Sequence, residues 1–439
     1  MSSRIGQANV GLDLREGDAA PLAFVGTQCV TRGELKHRAD ALMSMLAQHA
    51  VQRAMVLSDD PVDILRSIDA CNRAGADLYI AHTNLAREHI DEIVKSHAIQ
   101  AIIGATDTFQ AAESTGATPA GRIYMMTSGT TGRPKIATHT LQSLLGRVLA
   151  SAQYPGNREA RWLLTYQPTG FAGVQVILTA ALARGAIVTA PQRTPAAFYE
   201  AARQAQVTQI SGTPTFWRSF LMLASQNEIP LRQITLGGEA ADQATLDRLK
   251  RKFPQARITH TYASTEAGVV YAVHDGREGF PSAWLEQPNQ GTQLRIRDGF
   301  LHIKTANSMR GYVTETRQPL LEDGWLVTTD RAEIRGDRVY VLGRDDSTIN
   351  VGGSKVYPLA VETFLLGLPE VVEARVYGVP NPISGFLVAA DVVPAPDQEA
   401  AAARTAILTA CRERLPGYQV PRILKLVDSI QVGASGKKG

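Results

Sequence analysis

Amphipathic helical stripes and short apolar runs alternate along most of this 439-residue chain, and that alternation restricts its architecture more than any other feature. Leu35, Ala39, Leu42, Met43 and Leu46 recur at helical spacing, as do Leu141, Leu144, Leu145, Val148 and Leu149, so each set presents one apolar face. Between such stretches lie apolar runs closed by Gly, Pro or Thr, at 122–126, 185–190, 207–210 and 232–236, which predict buried strands. This order implies an α/β fold with largely parallel sheets, in which ligands collect at the carboxyl ends of the strands.

The texture changes near Gly343. A hairpin-like strand at 337–342 runs into the polar, Gly-rich GRDDSTINVGGSKVYP, and a helix follows over 359–366. Strands at 371–377, 386–393 and 423–427 and a helix over 399–415 then suggest a small α+β unit. The expected division is a large, multi-subdomain α/β amino-terminal domain over 1–344 and a small α+β carboxy-terminal domain over 345–439.

Charge and cysteine content remove several function classes. With 45 Lys and Arg against 42 Asp and Glu, the net charge of +3 gives no electrostatic footprint for a nucleic acid. No uninterrupted apolar window is long enough to span a bilayer, so no membrane insertion is expected. Cys29, Cys71 and Cys411 are widely spaced and show neither a disulfide framework nor a zinc pattern. The charged opening segment lacks the apolar core of a secretory leader, and a cytoplasmic protein is expected.

The segment that carries most chemistry is MMTSGTTGRPK, which follows a predicted strand. Gly129 and Gly132 permit close backbone approach, while Thr127, Ser128, Thr130 and Thr131 set hydroxyls beside exposed amides. Such a loop suits phosphate. It is no Walker A loop, since no Gly-Lys-Ser/Thr stands at the required offset. Among other conspicuous residues, Trp162, Trp217, His260, His274 and His302 show no metal-binding spacing; His274 and His302 read as structural, and His260 stays open.

TSGTTGRPK at 127–135 resembles the phosphate-loop signature of the acyl-adenylate-forming enzymes, the family of acyl- and aryl-CoA ligases, stand-alone adenylation domains and luciferases. Further family motifs recur in order. Thr261-Tyr262-Ala263-Ser264-Thr265-Glu266 resembles YGxTE, which implies Tyr262 against adenine, Thr265 at the α-phosphate and Glu266 on Mg²⁺. Gly237-Gly238-Glu239-Ala240 is similar to the adenine-lining strand end, and the motif ending at Asp330 to GWxxTGD, whose Asp holds the ribose hydroxyls, with Thr329 replacing the usual Gly. Gly343-Arg344-Asp345-Asp346 resembles the hinge motif, implying Arg344 at ribose or phosphate and Asp346 as the pivot of a mobile domain. Ala434-Ser435-Gly436-Lys437 resembles the terminal PxSGK, making Lys437 the catalytic lysine; Lys135 belongs to the phosphate loop.

The chemistry is consistent with these residue types. A carboxylate and a triphosphate repel, so attack on the α-phosphorus needs positive charge where negative charge accumulates, which Lys437 and a Glu266-bound Mg²⁺ would supply. An ionised Asp330 only accepts hydrogen bonds and suits two hydroxyls, whereas Arg344 offers a fork of donors. Three departures stand out: Gly170 occupies the place of the usual His or aromatic gate, with Phe171 beside it; Asn350 replaces a common Lys; and the phosphate loop begins early in the chain. Thr213-Pro214-Thr215 resembles the family's GTP segment at the acyl pocket, and its other reading is a helix start with an early Pro.

The resemblance implies ATP-dependent conversion of a carboxylic acid to acyl-AMP and then transfer to a thiol, either of CoA or of the phosphopantetheine on a separate acyl-carrier protein. The hinge segment tilts the acid toward an aryl or other small one. A catalytically impaired adenylate- or acyl-binding protein and a luciferase-like oxygenase are the alternatives.

Overall fold

The computed structural model describes residues 12, 19–25, 28–109, 121–127, 135–224, 228–313, 323–396 and 398–431. Among these, an eight-stranded sheet runs in the order Gly268–Val273, Arg257–Ser264, Gln233–Leu236, Gln209–Gly212, Arg161–Leu164, Ala186–Val188, Pro21–Val25, Gln28–Thr31. Its interior pairings are parallel, and only the outermost strand at each end runs antiparallel. A seven-stranded sheet holds Asp77–Ile80, Arg53–Val56, Ala101–Ile103 and Arg122–Thr127 in parallel. Helices Arg32–Gln48, Pro61–Ala74, Leu141–Ala152 and Phe171–Leu182 contribute to one apolar core with strands of both sheets. The carboxyl ends of both parallel sets carry the connections from which the site is built.

Local sequence explains where these helices begin. Thr31 and Glu34 form a reciprocal cap at one start, and Thr140 and Ser143 do the same at Leu141–Ala152. Asp60 caps Pro61–Ala74, whose Pro sits in the first turn, and Gly75 ends it with φ of 70°.

Two regions differ from the sequence expectation. The phosphate loop does not pass directly from strand to helix, because Lys135–Thr140 forms a second strand antiparallel to Arg122–Thr127 before the helix starts at Leu141. Ile136, Ala137, Thr138 and His139 are all buried, so this segment is held between layers as a strand. Residues 280–344 also depart from the parallel pattern, since Phe280–Pro281, Arg338–Arg344, Leu326–Arg335, Phe300–Lys304 and Gln293–Arg297 form an antiparallel sheet. Its tight turn at Asp298 and Gly299 has φ of 55° and 78°, the double positive φ that matches the twist of a two-residue hairpin.

A fourth sheet contains Ser354–Val356, Ile349–Val351, Gly385–Pro394 and Val371–Asn381, with Ile423–Leu426 parallel to Gly385–Pro394. It packs with helices Pro358–Leu366 and Ala400–Arg414 around a core of its own, including Val361, Leu365, Val376, Val392, Ile407 and Leu424. A short turn over Asp345–Ser347 connects it to the antiparallel sheet.

Candidate active site

The strand Gln233–Leu236 ends in Gly237 and Gly238, and Gly238 has φ of +85°. A Cβ at Gly237 would stand 2.7 Å from Thr261 Oγ1, and the Tyr166 hydroxyl donates to the Gly237 carbonyl at 3.1 Å. The Gly237 backbone therefore packs directly against the Thr261 and Tyr166 side chains, where a side chain of its own would not fit. The next residue turns away from it. Glu239 accepts from the Thr215 amide at 3.1 Å and the Thr215 hydroxyl at 2.7 Å, placing its charge at the amino end of helix Pro214–Leu223. Thr213 caps the same helix by accepting from the Phe216 amide at 3.0 Å, so the Thr-Pro-Thr segment is a helix start. Ala240 follows, exposed.

Tyr262 projects from Arg257–Ser264, and its ring stacks on Tyr271 with centroids 5.5 Å apart. Its hydroxyl donates to the Asp330 carboxylate, which joins the residue expected at adenine to the one expected at ribose. Burial, then the Asp330 charge, push the Tyr262 phenol well above its ordinary range, so it stays a donor. Asp330 pairs in register with Arg344, whose Nε donates to Thr329 Oγ1 at 3.1 Å and whose Nη2 lies 2.9 Å from Asp346. Tyr262, Asp330, Arg344 and Asp346 thus form one continuous chain of contacts.

A second group surrounds the Thr265–Glu266 turn. The Glu266 carbonyl accepts from the Met309 amide at 2.8 Å, and the Glu266 carboxylate accepts from the Tyr312 hydroxyl. Lys135 Nζ lies 5.5 Å from the centre of the Tyr312 ring, and Lys135 pairs in register with Thr127. Tyr312 therefore links Glu266 to Lys135, whose partner Thr127 stands at the other end of the phosphate loop. Ser128, Gly129, Thr130, Thr131 and Gly132 lie outside the described residues, as does Lys437. Gly170 caps helix Phe171–Leu182 without a side chain, and the Phe171 ring is 6.1 Å from that of His139.

Two family models match the chain: AMP-binding enzyme over residues 110–313, and AMP-binding enzyme C-terminal domain over 360–437. Together they take in well over half of it, in the expected order. The chain belongs to the acyl-adenylate-forming enzymes. It is an AMP-forming acid–thiol ligase, activating a carboxylic acid as acyl-AMP before transfer to a thiol. A 2-succinylbenzoate–CoA ligase of Bacillus velezensis is 27% identical, with 95% of this chain and 93% of that one covered. A feruloyl-CoA synthase of an Amycolatopsis species is 28% identical, with 94% and 93% covered. Among solved structures, an anthranilate CoA ligase in complex with anthranoyl-AMP shares the fold at a TM-score of 0.81 and 19% identity, over 96% of this chain and 93% of that one.

In this ligase contacts between motif residues cross sheets: Tyr262 of the eight-stranded sheet meets Asp330 of the antiparallel one, and Glu266 meets Tyr312 of the seven-stranded one. Motif reading did not single out His139 or Tyr312. His139 stands four residues beyond Lys135, and only its tertiary partner marks it: its Nε2 lies 2.8 Å from the Thr265 carbonyl. His260, left open, is buried against the Arg277 carbonyl at 2.8 Å, and Trp217 is a core residue donating to the Thr235 carbonyl at 3.0 Å. Among the described residues no three His, Cys, Asp or Glu side chains gather as a metal cage. A lone carboxylate such as Glu266 fits Mg²⁺ that keeps water and substrate phosphate oxygens as its other ligands.

Proposed function

We propose that this ligase activates an aryl or other small carboxylic acid with ATP and Mg²⁺ and passes the acyl group to CoA. The observation that carries the reading is that Tyr312, whose hydroxyl donates to the Glu266 carboxylate, also faces Lys135, which pairs with Thr127 where the phosphate loop begins and ends. The names of the aryl-CoA-forming relatives support the choice of acid and of thiol. A separate acyl-carrier protein is the alternative acceptor.

In the proposed first step a carboxylate oxygen attacks the α-phosphorus of ATP, the bond to the β-phosphate oxygen breaks, and pyrophosphate leaves. Mg²⁺ on Glu266 would offset phosphate charge. Thr265 would face the α-phosphate, the 127–132 loop would hold the β- and γ-phosphates, and Lys437 would donate to the reacting oxygens. Gly238 and Ala240 would line adenine through their backbone, with Tyr262 against the ring. Asp330 and Arg344 would take the ribose hydroxyls. In the second step the thiol sulfur attacks the acyl carbonyl carbon, its proton passes to solvent, and AMP leaves. Gly170, Phe171 and Thr213 would border the acyl pocket.

The two steps present different surfaces to the same adenylate. The 345–439 domain would therefore turn about Asp346 relative to 1–344, a change that a few backbone torsions absorb. Cys29, Cys71 and Cys411 are free thiols, which fits the reducing cytoplasm as its compartment. No helix among the described residues is long and apolar enough to cross a membrane.

The test is pyrophosphate release from ATP with benzoate, anthranilate, ferulate, 2-succinylbenzoate and short aliphatic acids, run with CoA and with a phosphopantetheinylated carrier protein. An aryl acid with CoA should give the highest turnover. ATP and acid binding without pyrophosphate release would replace the reading by a binding protein, and oxygen consumption with an acyl-AMP would replace it by an oxygenase.

A further inference from the structure

We infer that His139 is a positioning residue for the nucleotide end of the site, holding the Thr265–Glu266 turn by a hydrogen bond from its Nε2–H to the Thr265 carbonyl. The inference rests on the roles proposed above for Thr265 and Glu266. His139 is wholly buried at the penultimate position of strand Lys135–Thr140, which follows the phosphate loop. Its Nε2 lies 2.8 Å from the Thr265 carbonyl oxygen, across 126 residues of sequence. A carbonyl only accepts, so the bond requires the proton on Nε2 and leaves Nδ1 as an acceptor. Nδ1 faces the Ser143 hydroxyl at 3.1 Å, and that single hydroxyl proton is shared with the Thr140 carbonyl at 2.9 Å.

The imidazole is therefore oriented from one side by the first turn of helix Leu141–Ala152 and acts on the catalytic turn from the other. Burial pushes its pKa down to about 4, so at neutral pH it carries one ring proton and no charge. A neutral donor holds the peptide without competing with a cation for the Glu266 carboxylate. The backbone of the turn is also held by the Met309 amide donating to the Glu266 carbonyl and by the Ala267 amide donating to the Ser264 hydroxyl, at 2.8 and 3.1 Å. Neither of these bonds touches the Thr265 carbonyl. Without the His139 donor, the peptide linking Thr265 to Glu266 is free to rotate, and the two side chains lose their common aim at phosphate and metal.

The experiment measures ATP binding to the full chain by calorimetry, in EDTA and in Mg²⁺, so that it does not depend on the acid. His139→Leu fills the space without a donor, His139→Gln returns an N–H at similar reach, and Glu266→Gln is the reference. In the wild type Mg²⁺ should tighten ATP binding. His139→Leu should lose that tightening by roughly three- to ten-fold, the span of one net hydrogen bond, and His139→Gln should recover most of it. Wild-type behaviour in His139→Leu, with Glu266→Gln impaired, overturns the positioning role alone. Equal loss in the Leu and Gln variants also overturns it, because the ring would then matter only for packing. Full Mg²⁺ tightening in Glu266→Gln removes the metal role of that carboxylate and the inference with it.

Discussion

Arg218 and Arg331 both reach from the larger part of the molecule to an acidic residue beyond Gly343, but in opposite surroundings. Arg218 is buried, with Nε 2.6 Å from Glu373 and Nη1 3.0 Å from Asp242, and all three side chains are at most 7% exposed. Burial works to lower the Arg218 guanidinium, yet the Glu373 and Asp242 carboxylates outweigh it and raise it, so the ion stays charged. Arg331 instead meets Asp345 at 2.9 Å in a half-open setting, and Lys355 stands 3.6 Å from the same carboxylate. Removing one member of a buried cluster strands the rest without water, whereas exposed pairs trade partners with solvent at little cost. If the hinge lies at Asp346 as proposed, its neighbouring pairs would be remade at little cost. If the 345–439 part turns as proposed, Glu373 would be released to water while Asp242 stays with Arg218, so the buried cluster would favour the docked orientation.

The largest effect should come from Arg218→Met. Asp242 would keep the Thr245 amide and hydroxyl, both at 2.8 Å, and Glu373 Oε1 the Ala374 amide at 3.0 Å, but both carboxylates would lose the guanidinium between them. Loss of about 3–5 kcal/mol is expected for such a broken buried pair. Urea unfolding should show it, and small-angle scattering should show the small domain undocked. Near wild-type stability with an unchanged scattering profile would make the two contacts equivalent and break the contrast.

Asp346→Pro ranks next. Proline fixes φ in the turn that connects the two parts and removes the ion pair to Arg344. Acyl-AMP should still form, while thioester formation from supplied acyl-AMP should fall by about two decades, some 2.7 kcal/mol of barrier. Equal loss of both steps would place the pivot elsewhere.

Asp345→Asn should do least. The Arg331 hydrogen bond holds the Asp345 carboxyl below its ordinary value, so its contribution is complete above the usual carboxylate range and is lost only as pH falls through its lowered pKa. Because so open a pair contributes little, the variant should stay close to the wild type at neutral pH in both half-reactions. Any small difference should appear above the usual carboxylate range and vanish in acid, where the wild type also loses the contact. A strong defect at pH 7 would show that the exposed pair, and not the buried one, holds the small domain.

Local pattern made much of this legible. Apolar runs marked Arg122–Thr127 and Gln233–Leu236 within a residue or two, and Pro358–Leu366 followed from its stripe. The antiparallel sheet was less legible, although Asp298-Gly299 was a readable hairpin signal. Motif order brought Tyr262, Asp330, Arg344 and Glu266 to notice, because binding a nucleotide constrains residue types over short spans. It did not show that the Tyr262 hydroxyl would meet Asp330, or that the Glu239 carboxylate would turn to Thr215.

The residue order by itself determined the α/β alternation, the phosphate-loop composition and the succession of family motifs, all of which depend on neighbours along the chain. Tertiary structure alone decided that His139 reaches Thr265 across 126 residues and that Arg218 meets Glu373 across 155. Nothing in the local pattern around either residue records its partner. Those bonds exist because strands and helices with separate local causes pack at fixed distances, and a buried polar group must then find its partner wherever packing has put one.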